Sequence, residues 1–132
     1  MKSLKFTFAL ISAFLISTTL GHAADFSFKF KWCDTSYDPS NGTPEFSLSN
    51  VPKGTVKLEF KMNDLDRLTS NHGGGEIEYM GKKKIECSSL DGYYKPPHPP
   101  SGSHTYEWTI KAFDKDGKEL ASAKASRKFP EM

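Results

Sequence analysis

The stretch that decides the fold is VKLEFKM, Val56–Met62. Val56, Leu58, Phe60 and Met62 alternate with Lys57, Glu59 and Lys61. A period of two puts one set on each face of a pleated ribbon, so this is a strand with a dry face and a wet face. The same alternation recurs on either side. Phe26, Phe28, Phe30 and Trp32 alternate with Ser27, Lys29 and Lys31, and Tyr106, Trp108, Ile110 and Ala112 alternate with Thr105, Glu107, Thr109 and Lys111. Glu45 to Ser49 reads as a further short strand. Leu120 to Phe129 is ambiguous: its alanines suit a helix, but Ala121, Ala123 and Ala125 also alternate, and the preceding Asp116-Gly117 hairpin signal favours a strand. Val51-Pro52-Lys53-Gly54 is a turn, and Asp34 to Pro44 is a loop rich in Ser, Asp, Gly and Pro. Asn63 to Gly75 is polar and ends in three glycines, which predicts a long loop. Glu76 to Met80 and Lys83 to Cys87 flank Gly81 as an expected hairpin, and Asp91 to Ser103 is a Pro-rich aromatic loop. Several short strands separated by turn signals predict an all-β fold: a single-domain antiparallel β-sandwich with Greek-key-type connections.

Residues 1–23 have a different composition. Lys2 and Lys5 precede an apolar run from Phe6 to Leu20, and Gly21-His22-Ala23 supplies small residues at an exit. This is the pattern of a cleaved secretory signal peptide, leaving a domain of residues 24–132 with no stable membrane span. Two of the 18 Lys and Arg residues lie in the leader, so 16 cations face 16 acids in the mature chain. A chain with no net charge lacks the basic field that nucleic-acid binding needs, so no nucleic-acid partner is expected. Export also bears on Cys33 and Cys87, the two cysteines of the chain. An oxidising compartment favours one disulfide between them.

The polar residues suited to chemistry fall in three loops. Asp64, Asp66 and His72 are in one, Pro96-Pro97-His98-Pro99-Pro100 forms the second, and Ser101-Gly102-Ser103-His104 runs into Tyr106 in the third. Loops of a sandwich gather at its ends, so these can converge on one pocket. Imidazoles donate N–H bonds to an oxyanion, and neighbouring carboxylates fix the ring tautomer or meet an ammonium group. Tyr106 offers a hydroxyl, and the prolines offer a stiff apolar wall.

At these residues the sequence resembles a known family. FSLSNVPKGTVKLEFKMNDLD (Phe46–Asp66), His72-Gly73-Gly74-Gly75 and YYKPPHPPSGSHTYEWTIKAFD (Tyr93–Asp114) are similar to stretches of the phosphatidylethanolamine-binding protein family, in its short bacterial Raf-kinase-inhibitor-like branch. The ordered set is VPxGT, DxD, His-Gly-Gly-Gly, PPxGxHxY and Ala-x-Asp. The resemblance implies a β-sandwich with a small pocket at one end for anionic groups such as phosphate or a phosphoethanolamine head group. Its motif positions fall on Asp64, Asp66, His72, Pro99, Pro100, His104 and Tyr106. It implies no cofactor and no metal. The family's DPDAP loop is here Asp64-Leu65-Asp66-Arg67-Leu68, without either proline, Thr105 replaces an arginine, and His98 is particular to this chain.

The expectation is therefore an exported, non-catalytic protein of the bacterial periplasm that binds a small anionic or phospholipid-headgroup ligand. The alternative is a protein-interaction or inhibitor module acting on a protein partner through the Pro-rich loop. A hydrolase built on an Asp–His pair ranks lower, because no G-x-S-x-G nucleophile elbow is present. So does a zinc or copper site using His72, His98, His104 and the aspartates Asp64 and Asp66, whose spacing matches no standard metal motif.

Overall fold

Among the described residues there are seven strands, and the alternating apolar sets of four of them point into a common interior. The computed structural model describes residues 24–33 and 42–131. The leader read at residues 1–23, and most of the loop read between Asp34 and Pro44, lie outside the described residues. The strands are β1 (Ser27–Lys31), β2 (Glu45–Ser49), β3 (Lys57–Asp64), β4 (Asn71–Glu78), β5 (Lys84–Ile85), β6 (His104–Phe113) and β7 (Glu119–Phe129). One antiparallel sheet has the order β1-β2-β5 and the other β4-β3-β6-β7. This is the expected all-β architecture of two antiparallel sheets. The chain passes between the sheets after β2, after β4 and after β5.

The inward faces are those read from the sequence, except that Val56 precedes β3 and is exposed and Trp32 is only partly buried. Phe28, Phe30, Phe46, Leu48, Leu58, Phe60, Met62, Tyr106, Trp108, Ile110 and Ala112 are all buried. Rings bridge the two layers: Phe46 of the first sheet lies 4.8 Å from Phe60 and 5.1 Å, edge-on, from Trp108 of the second. Edge-to-face rings at these separations add to the apolar area they bury. The sheets are also laced where β1 meets β7. Trp32 Nε1 donates to the Lys128 carbonyl at 2.9 Å, and Arg127 Nη1 to the Phe30 carbonyl at 3.0 Å.

Two sequence expectations are corrected. The segment read as loop through Gly75 contains β4, which begins at Asn71. Its glycines carry turn signals for a different reason: a Cβ on Gly74 would collide with the Phe60 carbonyl oxygen, and one on Gly75 with that of Asp91. They are bare because backbone crowds β4 from both sides. The expected hairpin around Gly81 does not form. β4 pairs with β3 while β5 pairs with β2, so the chain changes sheets at the turn instead of folding back on itself.

Cys33 and Cys87 form the predicted disulfide. They follow β1 and β5 directly, so the bond joins the two outer strands of the smaller sheet across β2.

Candidate functional site

The end of the sandwich where β3 stops and β6 starts gathers most of the expected residues. Asp64 closes β3 opposite Tyr106, and His104 opens β6 opposite Phe129. This register brings the aspartate and the histidine together from 40 positions apart: His104 Nδ1 lies 2.7 Å from Asp64 Oδ2. The Asp64 carboxylate is buried, and its other oxygen accepts the Asp66 amide at 2.9 Å. Asp66 itself is exposed, but its Oδ2 accepts the Thr105 amide at 2.6 Å. The Leu65 amide donates to the Thr105 carbonyl at 2.8 Å. The two carboxylates of the DxD motif thus lash the 64–70 loop to the first residues of β6.

His72 reaches the same neighbourhood from β4 and is buried. Its Nδ1 lies 2.6 Å from the Lys95 carbonyl oxygen, while the Lys95 amide donates to the His72 carbonyl at 2.8 Å. A carbonyl only accepts, so His72 Nδ1 carries the hydrogen. A carboxylate is likewise an acceptor, so His104 Nδ1 donates to Asp64. In both rings the remaining nitrogen, Nε2, is the one left for a ligand. The rings share a neighbour in Tyr106. Its centroid is 5.4 Å from that of His72, edge-on, and 6.3 Å from that of His104, near parallel.

Of the predicted site residues, Asp64, Asp66, His104, His72 and Tyr106 therefore lie in one cluster. Tyr106 is almost fully buried and forms the wall between the two imidazoles. Pro99 is buried and Pro100 exposed in the coil that leads from Lys95 to His104, and His98 between them is exposed. The Lys95 carbonyl and the Thr105 amide do essential positioning work that sequence reading missed. Backbone groups carry no residue-type signature, so no sequence signal marked them. Tyr94 is a further addition. It is partly buried, packs 5.7 Å from Trp108, and its phenol is pushed above the usual tyrosine range by burial, with the nearby Tyr106 adding to the effect.

Asp64, Asp66 and His104 could each offer one ligand atom to a cation, all within 4.8 Å of one another. Yet the Asp64 and His104 atoms that face each other already share a hydrogen, so a cation would have to displace it. His72 is held on the Lys95 carbonyl and is not part of that set. The Ser103 hydroxyl, next to His104 in sequence, donates to the Pro130 carbonyl at 2.9 Å. A separate groove of about 960 Å³ lies on the outer face of the larger sheet, lined by Glu59, Lys61, Lys111 and Lys124 among others, and touches the histidine region only at Gly73.

Among the described residues, no helix is long and apolar enough to cross a membrane. No family model matches the chain, and no curated protein matches it. Among solved structures, it is similar to a protein of Chlamydia trachomatis described as a phosphatidylethanolamine-binding protein homologue. The identity is 15%, the TM-score 0.59, and the match covers 82% of this chain and 99% of that one. The two sandwiches share one fold, and the fold is that of a phosphatidylethanolamine-binding protein homologue.

Proposed function

We propose that this is an exported, periplasmic, non-catalytic protein that binds a small phosphate-bearing ligand, a phosphoethanolamine-type head group, at the His72–His104 cluster. The observation that carries the reading is the pair of imidazoles pinned through Nδ1, one by a carboxylate and one by a carbonyl, with Tyr106 between them. Rings held this way have a fixed tautomer and orientation, so no entropy is spent arranging them when a ligand arrives. A protonated ring would donate from Nε2 to an anionic oxygen in a charge-assisted bond, with the Asp64 carboxylate balancing the charge on His104. Asp64 acts as the orienter of that ring, since both of its oxygens are already engaged. The fold shared with a phosphatidylethanolamine-binding protein homologue adds independent support, as does the disulfide, which suits an oxidising compartment.

The test is a calorimetric and amide NMR titration with phosphate and with phosphoethanolamine. Saturable binding should perturb Asp64–His72 and Pro99–Tyr106. His104→Asn keeps a donor for Asp64 and removes Nε2, so it should lower affinity at least about tenfold, the loss of one charge-assisted bond. Binding unchanged in His104→Asn would overturn the site.

A further inference from the structure

The loop that carries the site carboxylates turns two leucines outward. Asp64 and Asp66 face inward onto His104 and the Thr105 amide, while Leu65 is 41% and Leu68 76% exposed. The loop is built, not slack. The Arg67 amide donates to the Asp64 carbonyl at 3.2 Å, the Ser70 amide to the Arg67 carbonyl at 3.0 Å, and Leu65 is tied through its own amide to Thr105. Arg67 stands between the leucines and is exposed, and Lys95, whose carbonyl holds His72, is exposed as well. Neither cation makes an ion pair among the described residues. An ordered turn that displays apolar side chains on either side of an unpaired cation has the chemistry of an interfacial anchor.

We infer that Leu65 and Leu68 seat this end of the sandwich on a phospholipid bilayer, with Arg67 and Lys95 at the level of the lipid phosphates. The inference rests on the head-group reading above and names the source of the head group: a lipid still in its membrane. The site residues and the leucines belong to one loop, so docking the leucines brings the imidazole cluster to the head-group layer. A protein partner fits less well. Two isolated leucines fall far short of the roughly 800 Å² per side of a standard protein interface, whereas a bilayer accepts single side chains.

The experiment is flotation of the protein with vesicles of phosphatidylcholine and phosphatidylethanolamine, run beside titration with soluble phosphoethanolamine. The variants are Leu65→Ser/Leu68→Ser, both at exposed positions, and His104→Asn. The wild type should float with the vesicles, and less so in molar salt, which screens Arg67 and Lys95 from the lipid phosphates. The double leucine variant should partition on the order of tenfold more weakly, the effect of withdrawing one to two leucine side chains from an apolar phase. Its affinity for phosphoethanolamine should not change. Wild type that fails to float, or a leucine variant that floats equally well, overturns the docking while leaving the head-group reading to its own titration. Leucine-dependent flotation without phosphoethanolamine binding sustains the docking and defeats the head-group reading instead. Leucine-dependent self-association without flotation overturns the docking in favour of a second copy as the occupant.

Discussion

At the scale of single residues, the site is a matter of which atom of each ring is already spent. His104 gives Nδ1 to a carboxylate and His72 gives Nδ1 to a carbonyl, so two residues of the same type differ in the charge behind them. Asp64→Asn tests that difference. The amide oxygen still accepts one bond, but the buried negative charge behind the imidazole is lost. Affinity for phosphoethanolamine should fall about tenfold, in line with a charge-assisted bond replaced by a neutral one. A variant that binds as the wild type does would show that Asp64 has no part in anion recognition. The residue types of this cluster were legible in the sequence because DxD, His-Gly-Gly-Gly and PPxGxHxY stand in a recognisable order. Which side chains bind and which position was not legible. That division is set by Lys95 O and Thr105 N, backbone atoms that any residue would supply.

At the scale of elements, legibility follows side-chain periodicity and fails where backbone approach sets the residue choice. β1, β3 and β6 bury alternate large side chains, so their sequences declare both the strand and its inward face. β4 begins Asn-His-Gly-Gly-Gly and reads as a turn, because Gly74 and Gly75 answer to neighbouring carbonyls rather than to the core. Gly74→Ala would force a Cβ against the Phe60 carbonyl inside the β3–β4 ladder. It should cost about 3 kcal/mol, the upper range for overpacking, measured by urea denaturation. A cost below about 0.5 kcal/mol, the range of a neutral surface change, would show that the two strands part easily. β5 presents the opposite problem. At two residues it is too short to hold its place on β2 by pairing alone. The Cys33–Cys87 bond, closing a separation of 54 residues, anchors the chain just beyond it. Cys33→Ser/Cys87→Ser should destabilise the domain by about 4 kcal/mol in the chain-entropy account. Amide exchange should quicken first at Lys84 and Ile85, whereas uniform acceleration across both sheets would mean that the bond acts on the unfolded chain alone.

At the scale of the whole molecule, the two sheets are joined through aromatic rings, and an ionisable ring outside both sheets packs against them. Tyr94 lies in the coil after β5, partly buried, with Trp108 on one side and Tyr106 close by. An isolated β-bridge ties it to Gly73, next to the site histidine. Burial holds its phenol above the usual tyrosine range, and a charge on Tyr106 would raise it further. A group whose folded pKa is raised binds its proton more tightly in the native state than in the unfolded chain. The stability this contributes is fully present below the unfolded value near pH 10. It is lost as pH climbs from there toward the folded value, because unfolding then releases the proton. Urea denaturation between pH 8 and pH 11 should therefore show a falling midpoint at the alkaline end. Tyr94→Phe keeps the ring against Trp108 and removes the hydroxyl, so the variant should lose less stability than the wild type over the same interval. Lysine deprotonation affects both proteins alike and cancels in the comparison. Parallel curves for the two would place the Tyr94 hydroxyl in water and separate its protonation from the stability of the sandwich.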